Sequence, residues 1–200
     1  DLIAMGGAQY VHTFDKCLFM PSDLTAGLEY NRDRLKDNMW GYDRHTDQTV
    51  NIYSAFLQNE WKNERWSILV GGRLDKHNMV DNIIFSPRAN LRFNPTQNIN
   101  LRLSYSSGFR APQAFDEDMH IENVGGTVAM IERAKNLKEE KSQSFSASAD
   151  IYHRFGAFQT NFLIEGFYTK LTDVFVLGEP YNRGDGVLVK LRSNGPGAKV

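Results

Sequence analysis

The sequence has 200 residues, a formal net charge of −1 and 41% hydrophobic residues. This balance excludes a disordered tail and a strongly basic nucleic-acid-binding domain. The single cysteine, Cys17, excludes an internal disulfide framework. Aromatic residues make up 12% of the chain, and glycine is frequent while proline is not, which is typical of an all-β protein with many turns.

The chain contains no run close to the roughly 20 consecutive apolar residues that a membrane-spanning helix requires. Neither an initiator methionine nor a signal peptide precedes Asp1, so we expect a fragment or a processed product. A membrane protein built of strands is still compatible with this hydropathy, because barrel strands alternate between two faces and give only a weak signal.

Apolar and polar residues alternate with a period of two over most of the chain, which predicts about eight β-strands. The pattern is clearest between Asn98 and Phe109, where Leu101 and Leu103 lie on one face and Arg102 and Ser104 on the other. The predicted strands cover approximately residues 22–33, 47–61, 65–76, 83–94, 98–109, 141–154, 157–172 and 187–194.

These strands are longer than the roughly 5–6 residues that are commonest in soluble proteins, and they reach the roughly 9–11 residues that cross a bilayer. The connections between them alternate in length. They are long at 34–46, 110–140 and 173–186, and short at 62–64, 95–97 and near Gly156. Short turns at one end and large loops at the other are typical of outer-membrane barrels.

Aromatic residues gather at the predicted tight-turn end of the sheet, namely Trp61, Trp66, Phe93, Phe155 and Phe158. They fit the aromatic girdle that barrels place at the membrane interface. Cross-strand aromatic pairs in an ordinary soluble hairpin explain the tryptophans equally well. The aromatic residues alone therefore do not decide between the two interpretations. The membrane girdle is favoured because the strands are long and the loops differ in length between the two ends of the sheet.

Several stretches together carry a family resemblance. "GFRAPQAFDEDMH" (Gly108 to His120) and "NLKEEKSQSFSASADIY" (Asn136 to Tyr152) follow "YSAFLQNEW", "LVGGRLD" and "FSPRANLRF" in the chain. In this order they resemble the β-barrel of TonB-dependent outer-membrane receptors, and within that family the Bacteroidetes branch and its cobalamin-receptor-like relatives.

The resemblance implies an antiparallel up-and-down meander of long strands, part of a 22-stranded transmembrane barrel. Residues 1–200 would form a partial barrel domain that lacks the plug and the TonB box. The whole receptor would lie in the bacterial outer membrane and import a bulky, scarce nutrient, such as a siderophore-iron chelate or cobalamin. Its partners would be that ligand, membrane lipid, and the TonB complex through the missing N-terminal region, with no cofactor and no nucleic acid.

Two groups of site residues follow from this interpretation. Polar-face residues are predicted to line the lumen: Arg73, Asp75, Arg88, Arg92, Arg102 and Glu165. The long connection at 110–140 is predicted to help capture the ligand, through Arg110, Asp116, Glu117, Asp118 and His120. "DEDMH" (Asp116 to His120) combines carboxylates with an imidazole, as a metal-chelate contact would. Its spacing matches no defined ligand motif, polar loop composition explains it as well, and no resident metal site is predicted.

The lipid-facing side is predicted to carry Leu91, Leu101, Leu103 and Phe145. Ala129 to Ser142 is predicted to contain one or two helical turns inside the long loop, and His45 and His77 are placed in loops on the same rim. No nucleophile with an orienting base is recognisable, so an enzyme is not expected. The alternative function is a surface-exposed β-sandwich for binding or adhesion, which requires two stacked sheets of short strands instead of one long meander.

Overall fold

The computed structural model describes residues 2–40, 44–113, 122–124, 127–184 and 186–200. These residues form strands joined by turns and loops. The strands are β1 (Leu2–Cys17), β2 (Met20–Met39), β3 (Arg44–Lys62), β4 (Trp66–His77), β5 (Ile84–Thr96), β6 (Ile99–Arg110), β7 (Glu122–Val124), β8 (Thr127–Arg133), β9 (Glu140–Phe155), β10 (Phe158–Thr172), β11 (Phe175–Leu177), β12 (Tyr181–Asn182), β13 (Leu188–Asn194) and β14 (Ala198–Lys199).

The main sheet follows the order β1-β2-β3-β4-β5-β6-β9-β10-β14. Each neighbouring pair in it is antiparallel. The predicted meander is therefore confirmed, and the order of strands shows no Greek-key crossing among the described residues. In this part of the chain, no helix is long and apolar enough to cross a membrane.

The two ends of the main sheet differ. At the tight-turn end, Leu18 and Phe19 connect β1 to β2, and Gly156 and Ala157 connect β9 to β10. Leu18 and Gly156 adopt left-handed backbone conformations with φ of 63° and 56°, which reverse the chain within two residues. The opposite end, called the outer rim below, carries the longer connections, including the one between β6 and β9.

A second sheet of five strands lies on these long connections. Its path is β11-β13-β8-β7, with β12 paired to β13. β8 and β13 run parallel, with Met130 opposite Val189 and Ile131 opposite Lys190. Met130 and Val189 are buried, so this small sheet has a packed centre of its own.

Residues 187–194 contain the predicted strand, Leu188–Asn194, but this strand does not continue the meander of the main sheet. β13 belongs to the second sheet, and the short β14 pairs with β10 instead. The helical turns predicted from Ala129 are wrong, because Thr127–Arg133 is extended and pairs with β13. Partners more than 50 residues away in sequence determine this conformation, and a local charge pattern does not reveal them.

The extent of the strands also differs from the prediction in three places. β1 was not predicted, because Gly6 and Gly7 interrupt its alternation. β2 and β3 extend through most of the predicted loop at 34–46 and stay paired as far as Met39 and Arg44. His45 accordingly lies on β3 and His77 on β4, whereas both were predicted in loops. The second sheet likewise occupies part of the predicted loops at 110–140 and 173–186.

Exposure alternates between the two faces over the first half of β9. On β9, Phe145 and Ala147 are exposed while Ser144 and Ser146 are half-buried. The main buried apolar cluster lies at the outer rim, where Val80, Ile84 and Ala111 pack together against Phe109. This cluster therefore arises from packing of the segments at the rim and not from a core between two sheet layers.

Candidate functional site

The polar face of the main sheet encloses a cavity of about 700 Å³. Six successive strands, β1 to β6, contribute to its lining, which includes Glu29, Ser54, Arg73, Asp75 and Ser86. Strands as distant in the sheet as β1 and β6 border one cavity only if the sheet curves around it. This side is therefore the concave face.

Arg73 is the centre of a charged network on the concave face. Its guanidinium donates to Asp75 Oδ1 from Nε at 2.8 Å, to Ser54 Oγ from Nη2 at 2.8 Å, and to Glu29 Oε2 from Nη1. Ser54 Oγ in turn donates to Asp75 Oδ1 at 2.6 Å. Asp75 is only 3% exposed, so its carboxylate is not solvated by bulk water. The hydrogen bonds from Arg73 and Ser54 replace those that water would make.

All six predicted lumen-lining residues share the concave face by pairing register. Asp75 pairs with Ser54, Arg73 with Phe56 and Ser86, and Arg88 with Ser106. One row across the sheet runs through Ser67, Arg92, Arg102, Ser148 and Glu165. The structure brings Arg73 and Asp75 into contact and sets Arg92 directly opposite Arg102, while Ser148 separates Arg102 from Glu165. Lining the lumen of a closed barrel stays a prediction for this set.

The other face of the sheet is apolar between two levels of aromatic residues. At the tight-turn end, Trp66 stacks on Phe93 at 4.0 Å and Phe19 on Trp61 at 5.6 Å between ring centroids. Towards the outer rim, Tyr30 meets Tyr53 at 4.9 Å and Tyr105 meets Phe145 at 4.7 Å.

The spacing of these aromatic levels matches a bilayer. Trp61 and Tyr53, which belong to the two levels, occupy the same face of β3 eight residues apart, which is roughly 26 Å along the strand. The apolar band of outer-membrane barrels is about 25 Å tall. The exposed residues Leu101, Leu103 and Phe145 lie on this apolar face, and Leu91 shares it by pairing with Leu103, which agrees with the predicted lipid-facing set.

At the outer rim, Arg133 joins the second sheet to the main sheet. Its Nη1 donates to Gln48 Oε1 at 3.0 Å and to the backbone oxygen of Pro112 at 3.1 Å. A cavity of about 550 Å³ lies beside it, and His45, Met79 and Glu132 are among the lining residues. This cavity opens between the β2–β3 hairpin, the β4–β5 loop and β8.

His77 ties the end of β4 to the segment that follows β6. It is fully buried, its Nδ1 accepts from the backbone N–H of Met79 at 3.1 Å, and its Nε2 lies 3.3 Å from Gln113 Oε1. An imidazole that accepts at Nδ1 donates at Nε2, so the neutral Nε2–H tautomer fits both partners. His77 lies beyond Lys76, whose ammonium binds the backbone oxygens of Val80 and Asp81 at the rim. Burial lowers the pKa of His77, against the opposing effects of Gln113 and Asp75.

Of the predicted ligand-capturing residues, Arg110 is the one that the structure describes. It ends β6 opposite Glu140, and its guanidinium carbon lies 5.6 Å from the ring centroid of Phe175. This cation–π contact links β6 to β11 of the second sheet. Asp116, Glu117, Asp118 and His120 lie outside the described residues, and their role stays a prediction.

Sequence reasoning missed Glu29, Ser54, Gln113 and Arg133. Ser54 and Glu29 belong to the Arg73 network only through the register of β2, β3 and β4, which no local pattern specifies. Gln113 and Arg133 lie within the long predicted loop at 110–140, where no strand pattern indicated their position. Among the residues that the structure describes, no group of three or more His, Cys, Asp or Glu side chains is arranged to hold a metal ion.

Comparison with solved structures gives the same architecture. The siderophore receptor PirA from Pseudomonas aeruginosa superposes with a TM-score of 0.80 at 15% identity, over 98% of this chain and 37% of that one. The ferric enterobactin receptor PfeA from the same species, an R480A mutant in complex with enterobactin, gives 0.73 at 17% identity, over 99% and 32%. The FrpB iron transporter from Neisseria meningitidis gives 0.64 at 16% identity, over 98% and 31%.

The chain thus spans about a third of the length of these receptors, and at such identities the comparison concerns the fold. No curated protein matches the chain in sequence. The sequence model of one protein family, described as the β-barrel of TonB-dependent receptor-like proteins, matches residues 5–195, which is nearly the whole chain. With the curved meander, the apolar outer face and the polar concave face in agreement, the chain belongs to the TonB-dependent receptor β-barrel family.

Proposed function

We propose that this chain forms part of the barrel of a bacterial outer-membrane receptor that imports a siderophore-iron chelate with energy delivered through TonB. The observation that carries the proposal is the division of one continuous sheet into two faces. An apolar face bounded by two aromatic levels meets lipid, and a concave face with the Arg73 network meets the receptor interior.

The outer rim supports the transport part of the proposal. Long connections there fold into a second sheet, and Arg110 and Arg133 anchor it to β6, β3 and the segment after β6. A rigid scaffold that carries elaborate loops at one end is the usual arrangement of a recognition surface. Solved siderophore receptors share this fold, and for that reason we favour a siderophore chelate over cobalamin as the ligand.

The proposal is tested in the whole receptor that contains this chain. A receptor-deletion strain that expresses it, with and without functional TonB, is supplied with ⁵⁵Fe-loaded enterobactin, with ⁵⁵Fe-loaded hydroxamate siderophores and with ⁵⁷Co-cyanocobalamin. We expect TonB-dependent accumulation of iron from at least one siderophore and none of cobalt. TonB-dependent uptake of cobalamin alone would correct the ligand, and surface binding without any uptake would favour the adhesion alternative.

A further inference from the structure

Two connections that are separate in sequence build the second sheet. The first runs from β6 to β9 and contains β7 and β8, and the second runs from β10 to β14 and contains β11, β12 and β13. The parallel pairing of β8 with β13 joins them. The backbone N–H of Ala134 extends this pairing, since it donates to the carbonyl oxygen of Arg192 at 2.9 Å. Moving either connection alone would therefore break hydrogen bonds with the other.

Asn194, the last residue of β13, ties the bases of both connections together. Its Oδ1 accepts from the backbone N–H of Lys138 at 2.8 Å, and its Nδ2 donates to the carbonyl oxygen of Lys138 at 3.1 Å. The same Nδ2 donates to the carbonyl oxygen of Asp173 at 2.7 Å. Lys138 lies two residues before β9 begins, and Asp173 is the first residue after β10. One side chain thus contacts the end of the first connection and the start of the second.

A side-chain amide is the group that fits these three partners. The N–H of Lys138 needs one acceptor and the two carbonyl oxygens need two N–H donors, and asparagine offers this set. Lys138 belongs to no strand, so the amide of Asn194 satisfies both of its backbone groups as a neighbouring strand would. Asp173 adopts a left-handed backbone conformation with φ of 54°, which is uncommon outside glycine. The hydrogen bond to its carbonyl oxygen stabilises this turn, in which the chain leaves β10.

We infer that the two connections behave as one conformational unit and that Asn194 is the clasp at its base. The unit carries one wall of the cavity beside Arg133, which includes Ile131 and Leu137. Asn194 contacts Lys138, the residue that follows this wall, and so couples the second connection to the cavity. The inference goes beyond the proposed function and does not depend on it, because it concerns contacts within the chain.

Amide hydrogen exchange of the purified whole receptor tests this inference without any ligand. N194D keeps the size of the side chain and the acceptor for Lys138, but it has no donor and sets a carboxylate beside two carbonyl oxygens. Two hydrogen bonds are worth about tenfold or more in a local opening equilibrium. We expect exchange in peptides that cover β8 and β13 to accelerate by that same factor, while exchange in β6 stays at the parent level.

M130A supplies the reciprocal test, because coupling between two sites acts in both directions. Met130 is buried in the second sheet and belongs to the first connection, and its truncation leaves a cavity there. If the connections form one unit, M130A should accelerate exchange of the Lys138 amide, whose acceptor is Asn194 of the second connection. Exchange of Lys138 at the parent rate in M130A would show that the sheet opens separately from its base, and would overturn the inference.

N182D is the matched control, since it makes the same chemical change in the same sheet. Asn182 Oδ1 accepts from the backbone N–H of Gly184 at 2.8 Å, and an aspartate keeps that role. Exchange in N182D should therefore match the parent. Acceleration in N194D that is confined to Lys138, or that equals the effect of N182D, would also overturn the inference. If N194D does not reach the membrane, M130A decides between one unit and two.

Discussion

Arg73 and Asp75 lie two residues apart on the concave face of β4, and Arg73 Nε donates to Asp75 Oδ1 at 2.8 Å. The buried Asp75 carboxylate has Ser54 Oγ as its second donor. Asp75→Ala would leave a buried hydroxyl and a guanidinium without their acceptor. We expect a loss of about 1–3 kcal/mol in the free energy of unfolding, measured by urea titration of the detergent-refolded receptor.

The matched control for this prediction is Glu29→Gln in the same network. Glu29 accepts from the same guanidinium, but its side chain is 45% exposed, so water can replace the contact. Its loss should cost less than about 1 kcal/mol. A larger penalty for Glu29→Gln than for Asp75→Ala would show that the network is organised around Glu29 instead.

The assignment of faces is tested on β6. Leu103 points to the apolar face, is 55% exposed, and lies between the tight turn and the rim. Leu103→Lys should therefore destabilise the refolded receptor by roughly 2–4 kcal/mol, the cost of a cationic side chain near the bilayer midplane.

Ser104→Lys is the comparison, since Ser104 is the next residue and faces the concave side. It gives up one hydrogen bond with Ser146, worth about 1 kcal/mol, while its charge stays in water. Similar penalties at Leu103 and Ser104 in the same refolding titration would mean that the two faces of β6 are wrongly assigned.

His77 makes the rim sensitive to acid. Burial holds the pKa of this imidazole below the usual 6.5. Between these two pKa values the imidazole is neutral in the folded protein and protonated in the unfolded chain. The stabilising effect of neutral His77 is complete above pH 6.5 and is lost as the pH falls from 6.5 towards the lowered pKa. We expect exchange of the backbone amides of Ala111 and Gln113 to accelerate between pH 7 and pH 5, after correction for intrinsic rates.

His77→Gln supplies the control for this titration. A glutamine does not titrate in this range, so exchange at Ala111 and Gln113 should no longer depend on pH beyond the intrinsic rates. If the parent receptor and His77→Gln show the same pH profile, another group is responsible for the acid response.

Much of the main sheet was predictable because one of its faces is apolar and the other is polar. On β5, β6, β9 and β10 this difference makes apolar and polar residues alternate with a period of two. Leu101, Arg102, Leu103 and Ser104 are an example. β1 was not predicted because Gly6 and Gly7 have no side chain, so the alternation of apolar and polar residues is interrupted there. The parallel pairing of β8 with β13 joins segments far apart in sequence, so periodicity alone cannot indicate it.

The site was predictable only where it depends on local geometry. Arg73 and Asp75 are two residues apart, so any strand brings them to one face. Their partners Ser54 and Glu29 depend on strand register, which no single strand reveals. His77 and Gln113 come together because the segment after β6 folds back over the rim.

The connection between β6 and β9 is the segment in which we predict ligand capture, with Arg110 at its start and Asp116, Glu117, Asp118 and His120 beyond it. Deleting all of it would also remove β8, which pairs with β13, and Arg133, which anchors the second sheet. Replacing residues 114–121 with a Gly-Ser linker of equal length keeps both. We expect normal receptor levels and at least a tenfold weaker surface binding of the ⁵⁵Fe-siderophore that the parent transports.

The matched control replaces residues 179–186 with a linker of the same length, since that segment also lies at the outer rim and carries Glu179, Arg183 and Asp185. A loss of binding restricted to the 114–121 replacement would assign capture to the acidic stretch. The quadruple variant D116N/E117Q/D118N/H120Q then tests the side chains with the backbone length unchanged, and it should reproduce most of the loss. Parent-level affinity in the quadruple variant and in the 114–121 replacement, with normal receptor levels, would remove this segment from the site and leave recognition to the cavity beside Arg133.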